Sequence, residues 1–422
     1  MTAEVCIMNR LAVVLAADSA ATVSQWTGEN VETRYFKGSN KIFQLSDHHP
    51  VGLMIFDSAD IMRVPWEIVV KTFRSQLEAK SFNSVKEYAD EFFNFLEQST
   101  LMFPTSIQDE VLLDAARLAA VFAVNRDKHP DDDVARVTEN GRLAEALIDE
   151  LGRLPFPDGL TEQMLQDAFA KYLDPLTAHI EQFRGTFGRN FPEAVSELAI
   201  LGILEVFKRP DKHLSASGLV FAGFGDREIF PAYTEFKSCG VICGKHIAIH
   251  TSDCAITHDV PARLAPFAQT AMSDTFSLGI SEDVYSSVMA TLTTRLADFA
   301  RKMIADAGGD AATIPNFDAV VAEARREMGA DVLDRAQREH AMPLRRVLSV
   351  LPVDEMAELA ETLINLQALK EKVTKSSETV GGPVDVAIIT KAEGLVWVKR
   401  KHFFDIGLNS RYLVRQQNRL QT

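Results

Sequence analysis

Residues 3–8 and 11–17 are two apolar runs containing β-branched residues, and only Asn9 and Arg10 stand between them. Runs of that length with so short a connection predict an antiparallel strand pair, with Asn9 supplying the left-handed backbone of a tight turn. The second run, Leu-Ala-Val-Val-Leu-Ala-Ala, has no polar face. A strand of that kind is covered on both sides, so the chain has to build layers rather than a single half-exposed sheet. Further strands are expected at residues 41–45 and 51–56. Asp57 and Ser58 then read as helix caps ahead of an amphipathic pattern through Ile61, Val64, Ile68, Val69 and Phe73. A second helix is expected over residues 85–98.

From about residue 104 to residue 209 the periodicity is helical. Strands return at 218–223, 229–236 and 240–253, a long helix follows over 282–307, and a charged helical stretch runs to about residue 346. A final helix over 353–375 leads into a hairpin of residues 384–390 and 394–399. No internal repeat or low-complexity linker is visible. This order predicts strands packed between helical layers, lengthened by two helical insertions.

The chain has 422 residues and a net charge of −15. An acidic chain lacks the basic face that phosphate neutralisation requires, which argues against nucleic acid and anionic membranes as partners. Four cysteines are too few for a disulfide scaffold and fit a reducing compartment. The apolar run of residues 11–17 ends at Asp18 without the flanks of a secretion signal, and no run approaches a membrane span. A soluble, cytoplasmic protein is the expectation.

Thr2 is the residue on which chemistry is expected. A small second residue permits removal of Met1, which leaves Thr2 with a free α-amine beside its own hydroxyl. An α-amine titrates near pH 8, so it accepts the hydroxyl proton at working pH. One residue then supplies nucleophile and base. Threonine at position two is common, and its bland reading is a strand start. What singles it out is that a core strand follows at once.

Residues 2–22, TAEVCIMNRLAVVLAADSAAT, resemble the opening of proteasome β-subunits and the wider N-terminal-nucleophile (Ntn) hydrolase superfamily of threonine type. The block at residues 41–56 followed by Ala59-Asp60, and the Gly381-Gly382 block at residues 381–391 after a long helix, are also similar to that family. The resemblance covers about half the chain. It implies an α+β fold, the four-layer αββα sandwich. The parts would be residues 1–103 as the first half of the core, 104–213 as a helical insertion and 214–307 as further core. Residues 308–350 would be a second insertion, and 351–422 the end of the core with a tail.

Carried over residue by residue, the resemblance implies Thr2 as nucleophile, with Asp18 and Lys41 beside it. A lysine ammonium would lower the hydroxyl and amine pKa values, and the aspartate would hold that ammonium in place. Asp18 as a strand-end cap and Lys41 as a surface charge are the plain alternatives. The oxyanion donor falls on the backbone N–H of Phe56, where the family usually has glycine. Ser377 and Val380 stand where the family has an aspartate and a serine. Ser281 matches a further serine, and equally reads as the N-cap of the helix from Glu282. The implied activity is cleavage of peptide or amide bonds without a cofactor or metal, in a homo-oligomer, with an ATP-driven unfoldase as a possible partner. The competing reading is a catalytically decayed assembly or regulatory protein, favoured by Phe56, Asp57 and Val380. A third is a zinc module on Cys239, Cys243, His246, His250 and Cys254. That segment alternates like strands, with His246 and His250 expected on the exposed face.

Overall fold

The computed structural model describes residues 2–26, 31–124, 133–187, 195–374, 380–402, 404–405 and 407–419. The strands are β1 (Ala3–Asn9), β2 (Ala12–Ala17), β3 (Ala20–Trp26), β4 (Val31–Lys37), β5 (Ile42–Gln44), β6 (Val51–Asp57) and the two-residue pieces β7 (Asp60–Ile61) and β8 (Val64–Pro65). Helices α1 (Trp66–Leu77), α2 (Val85–Gln98), α3 (Thr105–Val124), α4 (Asp133–Arg153), α5 (Glu162–Phe187), α6 (Val195–Lys208) and the single turn α7 (Pro210–His213) follow. Next come β9 (Ser217–Gly223), β10 (Ala232–Ile242), β11 (Lys245–Ala255) and β12 (Ala262–Ala268). The chain continues with α8 (Ala271–Leu278), α9 (Glu282–Asp306), α10 (Phe317–Ala336), α11 (Met342–Leu348) and α12 (Val353–Thr374), then the hairpin β13 (Asp385–Thr390) and β14 (Gly394–Lys399), and α13 (Ser410–Arg419). This is an α+β protein with antiparallel sheets, as expected from the sequence.

The chain divides into two compact units. The first takes in residues 1–42, 228–232 and 254–422 and carries a five-stranded sheet in the order β12-β1-β2-β13-β14. Helix α12 packs on β1 and β2. Ala3, Val5 and Ile7 of β1, with Val14 and Ala16 of β2, meet Met356, Ala360, Leu363 and Ile364 of the helix. The period-two alternation of a strand sends the other residues of β1, including Glu4 and Cys6, to the opposite face. That face is buried as well.

The turn between β1 and β2 differs from expectation. Asn9 does not adopt a left-handed backbone. Its side-chain oxygen instead accepts from the Leu11 N–H at 2.9 Å and the Ala12 N–H at 3.3 Å. Its amide donates to the carbonyls of Leu348 and Leu351 at 3.2 and 3.0 Å. Asparagine is used here for its side chain, as a local cap.

The second unit, residues 43–227 and 233–253, holds most of the sheet ordered β11-β10-β9-β6-β5. Helices α1 and α2 belong to it and bring an aromatic cluster. The Phe73 and Phe92 rings lie 5.0 Å apart edge to face, Phe92 and Phe221 lie 5.5 Å apart, and the Trp66 indole donates to the Ser217 hydroxyl at 2.8 Å. Ser84 caps α2 by accepting from the Glu87 N–H at 3.3 Å, while Glu87 accepts from the Asn83 N–H at 3.0 Å. That reciprocal arrangement is why α2 begins where it does. Helices α3 to α6 share one apolar core around Leu112, Ala116, Leu147, Leu176, Leu198 and Phe207.

The helix expected directly after Asp57 starts later, at Trp66. Asp57, Met62 and Arg63 are left-handed, with φ of 66°, 48° and 69°, and β7 pairs with β8. Pro65 occupies the N-cap, and proline is accepted at a helix start but not farther in. The segment of residues 229–253 is a hairpin of β10 and β11 whose turn residues Cys243 and Gly244 both have positive φ, 50° and 74°. The β3–β4 ribbon and strand β12 had no counterpart in the sequence reading.

Candidate functional site

Thr2 immediately precedes β1, and its carbonyl accepts from the Gln269 N–H at 3.0 Å. Ala3 is opposite Ala268 of β12, and Glu4 is opposite Ala17 of β2. The threonine is therefore held by a strand on each side of it, and it is only 4% exposed. Its hydroxyl donates to Glu4 Oε2 at 3.1 Å. Spacing i, i+2 on a strand puts both side chains on one face, so the contact is built into the local sequence.

Asp18 follows directly after β2. Its Oδ1 accepts from the Ala3 N–H at 3.1 Å, and its Oδ2 from the Ala20 N–H at 3.2 Å and the Gly381 N–H at 2.8 Å. Lys41 donates to the same carboxylate through a short hydrogen bond to Oδ1. The lysine and both acidic side chains are buried.

Gly381 and Gly382 give the C-terminal block its physical meaning. Their φ values are 148° and 84°, and a Cβ on Gly382 would come within 2.8 Å of Ser19 Oγ and 3.0 Å of Lys37 Cβ. Only glycine lets the backbone approach closely enough for the Gly381 N–H to reach Asp18. Ser19 ties the same loop down, donating to the Pro383 carbonyl at 2.6 Å.

Glu4 completes the cluster, and the sequence reading missed it. Its Oε1 lies 3.2 Å from the Lys41 Nζ. Burial pushes its carboxyl up to about 8, with Asp18 adding to the rise and Lys41 and the Thr2 hydroxyl opposing it. The signal was present: an acidic residue inside the run Ala-Glu-Val-Cys-Ile-Met, two positions after the threonine. Lys41 and Thr2 thus meet through the two oxygens of one carboxyl group.

The other expected residues stand as follows. Ser281 is buried immediately before α9 and makes no side-chain cap there. Its hydroxyl instead bonds the Asp283 carboxylate, helping to hold that group below the usual range. No described hydrogen bond joins Ser281 to Thr2, Glu4, Asp18 or Lys41. Met1 and Ser377 lie outside the described residues. Val380 is buried in the core under α12.

Phe56 belongs to the second unit, near the end of β6 and opposite Gly218 of β9. A Cβ on Gly218 would come within 2.0 Å of Phe56 Cζ, so the end of the ring occupies the space over the glycine of the neighbouring strand. Left-handed Asp57 and the β7–β8 pair come next, and no helix N-terminus stands there. The helix expected to start at Asp57 and Ser58 begins instead at Trp66.

His246 is buried rather than exposed, its Nε2 bonded to Ser238 Oγ at 2.8 Å and its ring 4.7 Å from Phe93. Among the described residues no group of His, Cys, Asp or Glu is arranged to hold a metal ion. No described helix is long and apolar enough to cross a membrane.

No protein-family profile matches the sequence, and no curated protein matches it. Among solved structures the chain is similar to an Anbu (Gly-1) mutant from Hyphomicrobium sp. strain MC1, at 10% identity and a TM-score of 0.27, over 100% of this chain and 97% of that one. So low a score leaves the chemistry to be argued from the site's own geometry.

Proposed function

We propose that the chain is a threonine-type Ntn hydrolase that cleaves peptide or amide bonds, with Thr2 as the nucleophile. The observation that carries this reading is the placing of the Thr2 hydroxyl. It is buried at the edge of β1 against a Glu4–Lys41–Asp18 cluster, and nothing in packing alone calls for three ionisable side chains there. Taking such groups out of water costs several kcal/mol each, at order of magnitude, unless they are paired.

After removal of Met1, the α-amine of Thr2 takes the hydroxyl proton as Oγ attacks the substrate carbonyl. The amine product leaves with a proton, and water then hydrolyses the ester on Oγ. Lys41 lies against the Glu4 carboxyl that accepts the Thr2 hydroxyl, and Asp18, fixed by three backbone N–H groups, holds the lysine.

One specific observation favours the second reading, a catalytically inactive assembly or regulatory protein. The segment after β6 carries Phe56, left-handed Asp57 and the β7–β8 pair in place of a helix start. Turnover separates the two. A panel of fluorogenic peptide amides is expected to be hydrolysed by the wild type. Thr2→Ala is expected to lose at least about a thousandfold in kcat/KM, since no other group forms the ester. An inactive wild type on every member of the panel favours the second reading.

A further inference from the structure

One ammonium faces two carboxyl groups in this cluster, and the two are not equivalent. Asp18 accepts three backbone N–H hydrogen bonds besides that of Lys41. Among the described residues Glu4 accepts no backbone N–H: Oε2 takes the Thr2 hydroxyl and Oε1 lies 3.2 Å from Lys41 Nζ. Lys41 and Asp18 already balance each other in charge, so with the α-amine in its free-base form an ionised Glu4 is a surplus negative charge in a buried place. Burial raises the pKa of this carboxyl. Its partners across the sheet are Ala17 on β2 and Phe267 on β12, neither of which titrates, so the charged groups that face it are Lys41 and Asp18. A glutamine would fill the same space without the cost of burying a charge.

We propose that Glu4 is a second proton acceptor for the Thr2 hydroxyl, working beside the α-amine. This rests on Thr2 being the nucleophile. As Thr2 Oγ attacks, the O–H electron pair becomes the new Oγ–C bond and the proton passes to Glu4 Oε2. The carbonyl π pair moves to the carbonyl oxygen. When the tetrahedral intermediate collapses, Glu4 returns that proton to the leaving amine and the C–N bond breaks. Water repeats the cycle on the ester, and no outside reagent is required. Burial raises the carboxyl's pKa, to about 8 with Met1 in place, which makes Glu4 a stronger base than an exposed carboxylate.

The rate of Thr2 acylation by a β-lactone, read by intact mass, tests this with two variants. At about pH 9.5 the α-amine is the free base in every variant, so rate differences there read Glu4. Glu4→Gln preserves shape but cannot take a proton, whereas Glu4→Asp keeps a carboxyl on a shorter arm. The expected order is wild type, then Glu4→Asp, then Glu4→Gln, the last slower by about tenfold or more. Glu4→Gln within about twofold of wild type, or faster than Glu4→Asp, would mean a packing role and overturn the proposal. If Glu4→Gln does not fold, infrared titration of the wild type decides. A protonated-carboxyl band lost as the pH passes about 8 and altered in Thr2→Ala is expected, and no such band overturns it. A wild type that loses Met1 yet takes no label fails earlier, at Thr2 itself.

Discussion

His246 shows how a single buried group ties stability to pH. Burial pushes its imidazole down to about 3 from an ordinary 6.5. Below pH 6.5 the unfolded chain therefore takes up a proton that the native protein refuses. Stability falls as pH drops from about 6.5 toward about 3, at up to about 1.4 kcal/mol per pH unit, and is unaffected above that window. Urea unfolding at about pH 6.5 and about pH 5 is expected to show the loss, and His246→Gln to remove most of it. An equal loss in the variant would assign the effect elsewhere. At this scale the sequence was partly legible. Thr2, Asp18 and Lys41 stood out because their chemistry and spacing match a known pattern. Glu4 did not, because an acid in an apolar run is read as a strand edge until the cross-strand partners are known. The opposite error placed His246 on an exposed face, because alternation alone does not reveal that Phe93 of α2 covers the ring.

At the scale of elements, the close crossing of α3 and α6 is the feature most open to test. Gly202 lies in α6, and a Cβ there would stand 2.2 Å from the Ala116 carbonyl oxygen of α3. Helix propensity alone would make Gly202→Ala stabilising by up to about 1 kcal/mol. The obstructing atom is backbone, so α3 has to move, and overpacking of that kind costs about 1–3 kcal/mol. The expected net result is destabilisation, read as a lower urea midpoint. A higher midpoint would show that the helices separate freely. Strands β1, β2, β6, β13 and β14 and helices α2, α9 and α12 were readable from apolar runs and caps. Strand β12, with Arg263 and Pro266 interrupting its pattern, was not, since it earns its place by pairing with β1. The start of α1 was misjudged because Asp57 and Ser58 are good caps in isolation, while three left-handed residues and Pro65 decide the local path.

Over the whole molecule, the first unit draws its candidate site from distant parts of the chain: Thr2 just ahead of β1, Glu4 from β1, Asp18 after β2, Lys41 ahead of β5, and Gly381 from the loop before β13. That gathering was foreseeable only through the resemblance, because spacing in sequence does not say which loops converge. The helical core of α3 to α6 was legible as helix and silent about purpose. The most direct measurement is the intact mass of the purified full chain before and after treatment with a threonine-directed β-lactone, with peptide mapping of the adduct. A mass lacking Met1, one adduct per chain located on Thr2, and no adduct in Thr2→Ala are the expected results. A retained Met1, or a Thr2→Ala protein labelled as fully as the wild type, would contradict the assignment of Thr2 as nucleophile.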